Sequence, residues 1–361
     1  MKRTGIATLP LHGGKAPAWL FSRMVKLSRQ IVIAVAGCCG PEEFLRRLSD
    51  PFWFQALGCM LGFDWHSSGL TTTTTGALKE ALRGLEAELG LFAAGGKGAA
   101  ARRTPQEIEA AASKVPDAPS LVRASRLSAK VDSSCLQDGY QVYHHAFFFT
   151  ARGDWAVVQQ GMNDATGLAR RYHWLGERVA SFVEEPHAAV CAVRPEEGVL
   201  DLTAGPNAAV RAASTELIRQ DPQVLLRELG RVRQLSLPRR HAVLAADINP
   251  ARLRATILAS YEAQPETYQS LVGLPGVGGK TLRALALLSE LIYGAEACFS
   301  DPARFSFAHG GKDGHPYPVD RALYDRSIEV LRQALGRAKV GEGERLAALR
   351  RLDRATVAAI D

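Results

Sequence analysis

The sequence predicts a protein of the α+β or α/β class, in which a mixed-sheet α/β domain at residues 1–203 precedes an all-α domain at residues 204–361. The β-favouring runs 140–150 and 155–160 stand on either side of a short turn, which is the pattern of a hairpin. In the second domain nearly every segment instead repeats apolar residues at helical spacing. The turn-forming residues 203–207 mark the boundary, because glycine and proline interrupt helices and strands alike.

The first domain is predicted to open with mixed helix and strand. Residues 5–10 and 31–36 have the apolar composition of short buried strands, and residues 17–29 between them carry apolar side chains at roughly helical spacing. Asp50, directly before a proline, is typical of a helix start, since its carboxylate can accept hydrogen bonds from free backbone amides. A further strand is predicted at residues 188–193.

Two polar stretches of the first domain are predicted to be loops. Residues 62–69 are bounded by glycine and contain aromatic side chains, and five threonines follow them before a helix that begins near Ala77. Residues 94–103 combine glycine with lysine and arginine, which predicts a flexible cationic segment. Thr104, with Glu107 three residues later, predicts a capping box at the start of the next helix.

The second domain contains the most distinctive motif of the chain, residues 274–280, with the sequence Leu-Pro-Gly-Val-Gly-Gly-Lys. Pro265 is predicted to open a short helix before this motif, and Gly273 is predicted to close that helix. A second helix is predicted at residues 281–293. Two short helices joined by a glycine-bearing turn form a hairpin that can hold a nucleic-acid backbone phosphate.

The hairpin offers two kinds of attraction for a phosphate. Gly276 and Gly278 allow positive φ and close approach of backbone amides to an anion, and Lys280 adds a full positive charge at a helix N-terminus. The motif resembles the helix-hairpin-helix proteins, and especially the endonuclease III type of DNA glycosylase. In bifunctional members of that family a lysine at this position forms a Schiff base with the help of a downstream aspartate, which implies Lys280 and Asp320 here. The connection between these two residues is much longer than in the family, so phosphate binding by Lys280 remains the alternative.

Composition narrows the choice of partner and compartment. At 361 residues and 47% hydrophobic content, the chain is long enough for two domains with packed cores. The net charge of +7 favours a polyanionic partner, and we expect nucleic acid, DNA rather than RNA. Six cysteines without a Cys-x-x-Cys pair suit a reducing cytosol and argue against structural zinc. No apolar run is long enough to cross a bilayer, so we expect a cytoplasmic protein without membrane contact.

The densest polar cluster lies between residues 130 and 145 and includes two carboxylates and two histidines. Mg²⁺ and Mn²⁺ prefer oxygen ligands, and Mn²⁺ also accepts imidazole, so Asp132 and Asp138 are predicted metal ligands. His144 or His145 is predicted to be a further ligand or a general acid or base. Alternation along a strand places these two histidines on opposite faces, so they cannot both enter one pocket. Buried polar groups satisfied by hydrogen bonds are the alternative interpretation.

Cationic residues outside the hairpin are also predicted to hold phosphates. Arg170 and Arg171 stand in the run Ala-Arg-Arg-Tyr-His-Trp, which mixes cations with aromatic rings as single-strand binding surfaces do. Lys312 stands at the centre of a loop rich in glycine and proline, which is predicted to adjoin the hairpin. Lys15 and Lys130 complete the set of predicted phosphate contacts.

Across nearly its full length the chain also resembles a family known as domain of unknown function 763. The segments that carry this resemblance are Leu9–Lys15, Asp64–Gly69, Ala129–Asp132, Gln137–Tyr140, Ala169–Trp174 and His309–Gly314.

The function that these features predict is DNA binding with metal-dependent phosphodiester hydrolysis, in DNA processing or repair. In this hypothesis the helical domain holds the backbone, and Mg²⁺ or Mn²⁺ in the first domain activates water. A glycosylase or abasic-site lyase that uses Lys280 and Asp320 is a second hypothesis. A DNA-binding protein without enzymatic activity is the third, and it predicts binding that weakens steeply with salt.

Overall fold

The structure is a computed structural model of the chain. It describes residues 16–62, 69–193, 195–232, 249–304, 329–336 and 341–357. Several sequence predictions lie outside these described residues, namely the strand at 5–10, the phosphate contacts of Lys15 and Lys312, and the role of Asp320.

The described residues form a mixed α+β fold. The helices of the first half are α1 Ala18–Cys39, α2 Pro41–Ser49, α3 Pro51–Leu61, α4 Gly69–Leu82, α5 Glu86–Leu89, α6 Ala99–Arg102, α7 Thr104–Glu109 and α8 Ala118–Ser134. Those of the second half are α9 Ala208–Ile218, α10 Pro222–Val232, α11 Pro250–Ala263, α12 Tyr268–Gly273, α13 Gly279–Tyr293, α14 at 329–336 and α15 Glu342–Val357. The strands are β1 Leu91–Lys97, β2 Leu136–Gln137, β3 Gln141–Thr150, β4 Trp155–Asn163, β5 Leu168–Leu175, β6 Ala189–Cys191 and β7 Leu200–Asp201.

The main sheet has five strands in the order β1-β3-β4-β5-β6, and every neighbouring pair is antiparallel. The predicted hairpin is confirmed, with Phe147 opposite Val157 in the register of β3 and β4. The prediction of a mixed sheet is wrong for this sheet. Short turns join β3 to β4 and β4 to β5, and such connections produce antiparallel pairs. β2 and β7 form a separate two-stranded antiparallel sheet.

The apolar run 31–36 lies inside α1 and is not a strand. Ile31, Val32 and Val35 are all buried on the face of α1 that meets the core. A short apolar run fits a buried strand and a buried helix equally well, and here the helical spacing of the flanking residues decides the outcome. The helix start predicted at Asp50 is confirmed, since its carboxylate accepts from the backbone amide of Phe52 at 2.8 Å.

The threonine run, for which the sequence predicts a loop, belongs to α4. Thr75 Oγ1 donates to the carbonyl of Thr71 at 2.8 Å, so its buried hydroxyl is satisfied within the helix. The capping box predicted at Thr104 is also absent, because the hydroxyl of Thr104 donates to the carbonyl of Ala101 at 2.7 Å. Glu107 instead accepts from the amide of Gly95, in the segment predicted to be flexible, which includes the end of β1.

Each face of the main sheet is covered by a separate apolar core. On one face Phe148 and Val158 pack with side chains from α1, α2, α3, α4, α14 and α15. On the other face Phe147 and Val157 pack with α8 and with the helices α9 to α13. This second core continues across residues 203–207, and the division into two domains there stays a prediction.

The helix before the hairpin begins later than the sequence predicts. Thr267 is its N-cap, and the hydroxyls and amides of Thr267 and Ser270 form a reciprocal capping box. Pro265 therefore precedes the helix instead of opening it, because the capping hydrogen bonds fix the first turn two residues farther along. Within the described part of the chain, no helix is long and apolar enough to cross a membrane.

Candidate functional site

Residues 274–278 form the short turn between α12 and α13 that the sequence predicts, and this segment is called the hairpin below. Its resemblance to the helix-hairpin-helix proteins stays a prediction. Gly276 has a φ of +82°, in the left-handed region that favours glycine, and a Cβ there would lie 3.2 Å from Thr256 Oγ1. Gly278 differs from the prediction of positive φ, since its φ of −139° is one that any residue adopts. It is the N-cap of α13, and Lys280 is exposed in the first turn of that helix.

Helix α8 lies against this turn and holds it in place. Lys130 Nζ lies 3.5 Å from the carbonyl oxygen of Leu274, to which it donates. Just beyond α8, Gln137 Nε2 donates to the carbonyl of Gly279 at 2.8 Å, and Gln137 Oε1 accepts from Arg283 Nε. The hairpin is therefore fixed to the end of a helix whose other residues line a large groove.

The groove has a volume of about 1470 Å³ and runs along α8, with residues 98–112 on one side and the hairpin on the other. Among the described residues its lining includes Arg102, Arg123, Arg126 and Lys130 but only one acidic residue, Glu109. Three of these cations recur at positions i, i+3 and i+7 of α8, so they lie on one helix face. The sequence-based prediction identifies only Lys130, although this spacing is a visible signal.

The floor of the groove is formed by the start of β3. Val142, Tyr143 and His145 line it together with Ser125 from α8. His145 is 3% exposed, and burial lowers its pKa to about 4, which favours the neutral imidazole. The groove thus combines a polar and partly apolar floor with cationic side chains along α8.

The two histidines of β3 point to opposite sides of the sheet, as strand alternation predicts. His145 Nε2 lies 2.9 Å from Ser125 Oγ, on the groove side. His144 Nε2 lies 2.8 Å from Thr75 Oγ1 in α4, on the far side, and its pKa is lowered to about 3 by burial. Only His145 therefore lines the groove.

Asp132 is buried between α8 and the sheet, and protein donors already contact both of its carboxylate oxygens. Its Oδ1 lies 2.6 Å from His187 Nε2, while its Oδ2 accepts from Gln159 and, at 3.0 Å, from Trp174 Nε1. Burial raises the pKa of Asp132, and the nearby His187 opposes that rise. His187 and Gln159 are partners that the sequence does not indicate.

Asp138 occupies a second buried network. Its Oδ1 accepts from the amide of Tyr140, and its Oδ2 accepts from Arg170 at 3.0 Å and from the Tyr172 hydroxyl at 2.8 Å. Arg170 also donates to both carboxylate oxygens of Asp301. The pKa of Asp138 is raised to about 6 by burial, against the effect of the adjacent guanidinium.

Arg171 projects from the other face of β5 into the opposite core. Its guanidinium donates to His173 Nε2 at 2.9 Å and to Gln55 Oε1 at 3.0 Å, and it stacks over the ring of Phe54. Arg170 and Arg171 are 0% and 1% exposed. The predicted phosphate contacts of these two arginines do not fit such burial, because each guanidinium is enclosed and paired within the protein.

The described residues contain no group of three or more histidine, cysteine, aspartate or glutamate side chains that could hold a metal ion. Asp132 and Asp138 take part in two different hydrogen-bond networks. Their role as ligands of Mg²⁺ or Mn²⁺, and the catalytic roles assigned to the histidines, stay predictions.

Comparison with known proteins gives a family. No curated protein and no solved structure matches the chain. A family described as "Protein of unknown function (DUF763)" matches residues 5–319, which is most of the chain. The chain therefore belongs to the DUF763 family.

Proposed function

We propose that this protein binds nucleic acid, DNA in preference to RNA, along the groove between α8 and the hairpin. The observation that carries the proposal is the row of Arg123, Arg126 and Lys130 on one face of α8, ending at the hairpin turn. Cations spaced along a groove match the regular spacing of charge along a nucleic-acid backbone.

The charges of the groove are available to a ligand. Arg102, Arg123 and Arg126 are exposed, in contrast to the enclosed arginines of β5. Lys130 is half-buried, and burial lowers its pKa. A bound phosphate would stabilise the charged form of this lysine, because it brings a negative charge next to the ammonium group. Counterion release from the phosphates would then supply most of the binding free energy.

The hairpin would hold the backbone at one end of the groove. The left-handed Gly276 opens the turn, and the first amides of α13 have no carbonyl partner within that helix. These amides and the exposed Lys280 together favour an anion. The contact is to phosphate, so it carries no sequence preference of its own.

Fluorescence anisotropy with a labelled oligonucleotide tests this proposal. The double variant Arg123→Ala/Arg126→Ala should bind more weakly, and the slope of log Kd against log salt should fall by about 1 for each phosphate that an arginine no longer neutralises. The matched control is Arg152→Ala/Arg231→Ala, which removes two exposed arginines that do not line the groove. Equal affinity and an equal salt slope in the two double variants would contradict the proposal.

Hydrolysis of the bound strand with Mg²⁺ or Mn²⁺ is the activity that we propose alongside binding. The support is the position of Asp132 on α8 between the groove residues Lys130 and Ser133, although its own carboxylate faces the sheet and is fully buried. Cleavage of a labelled strand should then require added metal, disappear in EDTA and be abolished in Asp132→Asn. A borohydride-trapped DNA adduct that Lys280→Ala abolishes, with activity insensitive to EDTA, would favour the lyase instead.

A further inference from the structure

A chain of buried hydrogen bonds runs from the floor of the groove into the protein. Ser125 Oγ lies 2.9 Å from His145 Nε2, and His145 Nδ1 lies 2.8 Å from Gln159 Oε1. Gln159 Nε2 in turn donates to Asp132 Oδ2. The order is therefore hydroxyl, imidazole, amide and carboxylate.

The far end of this chain fixes the proton positions at the near end. Gln159 Nε2 donates to Asp132 Oδ2, which also accepts from Trp174 Nε1, and the amide oxygen of Gln159 therefore faces His145. His145 Nδ1 then carries the proton that Gln159 accepts. His145 Nε2 is left with a lone pair, and the hydroxyl of Ser125 donates to it.

Ser125 differs from other hydroxyl residues in the middle of helices. Ser133 in the same helix donates to the carbonyl of Ala129 at 2.7 Å, and Ser289 in α13 donates to that of Leu285 at 2.8 Å. Such bonds to a preceding carbonyl are the usual arrangement within a helix. The hydroxyl of Ser125 is instead directed to a neutral imidazole, which is the arrangement of a nucleophile and its base.

The Ser125–His145 pair, called the dyad below, lies at the wall of the groove, although Ser125 is only 2% and His145 only 3% exposed. Ser125 and His145 both line the groove, on the side where Arg126 and Lys130 supply positive charge. Positive charge next to a hydroxyl attracts an anionic electrophile and stabilises the negative charge that forms during attack. Phosphate esters fit this setting, because they are anionic and they gain further negative charge when a hydroxyl attacks them.

We propose that Ser125 is a nucleophile toward phosphorus esters, with His145 as its general base. Gln159 and Asp132 are positioning residues, which hold the imidazole in the tautomer that accepts a proton at Nε2. The identification of a nucleic-acid phosphodiester as the substrate rests on the proposed nucleic-acid binding, whereas the reactivity of Ser125 does not. This serine route needs no metal and is an alternative to the metal-dependent hydrolysis proposed above.

In the reaction the proton of the Ser125 hydroxyl passes to His145 Nε2 while Oγ forms a bond to phosphorus. The bond from phosphorus to the leaving oxygen breaks, and that oxygen takes the proton from the imidazolium. Water then attacks phosphorus while His145 Nε2 accepts one of its protons. The bond from phosphorus to Ser125 Oγ breaks, and the imidazolium returns the proton to Oγ, which releases a phosphate monoester and regenerates the free serine. The two steps together consume one water for each bond hydrolysed and need no oxidant or reductant.

A fluorophosphonate reagent tests the reactivity directly. Attack by Ser125 expels fluoride and leaves a stable adduct, which peptide mass spectrometry locates. In the full-length wild-type protein we expect labelling at Ser125 and none at Ser133, which lines the same groove and is more exposed. Ser133→Ala should be labelled at the wild-type rate, and Ser125→Ala should not be labelled.

The dependence on the base distinguishes a nucleophile from an accessible hydroxyl. His145→Gln should slow labelling about 100-fold, which is the usual contribution of a general base. Gln159→Met keeps both Ser125 and His145 but removes the amide that accepts from His145 Nδ1, so it should also slow labelling.

Absence of an adduct at Ser125 in the wild-type protein would overturn the inference, as would equal labelling rates in wild type and a folded His145→Gln variant. Circular dichroism and thermal unfolding establish that each variant is folded. Oligonucleotide anisotropy on the same samples separates the two proposals. Labelling of Ser125 without nucleic-acid binding would support the nucleophile and contradict binding in the groove. Nucleic-acid binding without labelling would support binding in the groove and contradict the nucleophile.

Discussion

The cations of β5 and those of α8 have opposite environments, although the sequence makes β5 look like the binding surface. Arg170 and Arg171 are enclosed on the two faces of the sheet, where they pair with carboxylates, an amide and an imidazole. Arg123 and Arg126 stand exposed along a groove. A dense run of cations and aromatic rings in a strand alternates between two cores, whereas cations at helical spacing share one face.

The two pairs of arginines therefore have different roles. The β5 arginines connect distant segments, since Arg170 joins Asp138 to Asp301 and Arg171 joins β5 to Gln55 in α3. The α8 arginines line the groove with exposed side chains, where a ligand can reach them. Changes in β5 should therefore reduce stability, and changes on α8 should reduce binding.

The largest effect is expected from breaking the buried ion pairs. Arg170→Met leaves Asp138 and Asp301 without their shared cation, and it should lower the free energy of unfolding by about 3–5 kcal/mol. The matched change Arg126→Met should cost less than about 0.5 kcal/mol, because that side chain is exposed. Urea unfolding measures both, and similar losses in the two variants would contradict the contrast.

The next largest effect is on the pH dependence of stability. The pKa of His145 falls from 6.5 to about 4 in the folded protein because of burial, so the unfolded chain binds more protons between these values. The free energy of unfolding should therefore decrease as pH falls through this window, by about 3 kcal/mol for this one histidine. Urea unfolding between pH 7 and 4 measures it, and His145→Gln should flatten the curve. A curve that stays unchanged in a folded variant would show that His145 does not contribute.

A smaller effect is expected at the hairpin glycines. Gly276→Ala forces a side chain into the left-handed region and close to Thr256, and it should cost about 1–2 kcal/mol. Gly278→Ala is the control, because its φ is permitted to alanine and nothing lies within 4 Å of the added Cβ. Thermal unfolding compares them, and an equal loss in both would mean that the turn lacks the geometry described.

The smallest effect on stability is expected from Lys280→Ala. The side chain is exposed in the first turn of α13, so the free energy of unfolding should change by less than about 0.5 kcal/mol. Oligonucleotide affinity should nevertheless fall, with a decrease of about 1 in the salt slope because the protein neutralises one phosphate fewer. Anisotropy and urea unfolding of the same variant test this combination. Unchanged affinity would show that the hairpin is not part of the binding surface.

Local signals predict several elements correctly. The β3–β4 hairpin, the Asp50 cap and the glycine turn each depend on residues close together in sequence, so pattern and turn chemistry are sufficient. The predictions for the apolar run 31–36 and for the threonine run are wrong, because short runs fit helix and strand alike until neighbours decide. The separation of His144 from His145 is also predictable from strand alternation.

The candidate site is less predictable than the fold. Asp132, Asp138 and His145 stand out by residue type, but Ser125 and Gln159, which join His145 to Asp132 in a chain, do not. Serine in a helix and glutamine in a strand give no local signal of a shared network. Their hydrogen bonds form only when α8 packs on the sheet.

The sequence by itself determined the antiparallel hairpin, the helix cap at Asp50 and the turn that requires Gly276. The strand β5, whose side chains alternate between two faces, was not among its predictions. Only the tertiary structure decided that both faces are covered, because the covering groups come from far along the chain, such as Gln55 for Arg171 and Asp301 for Arg170. Backbone geometry is set by neighbours in sequence, whereas burial and charge pairing are set by neighbours in space.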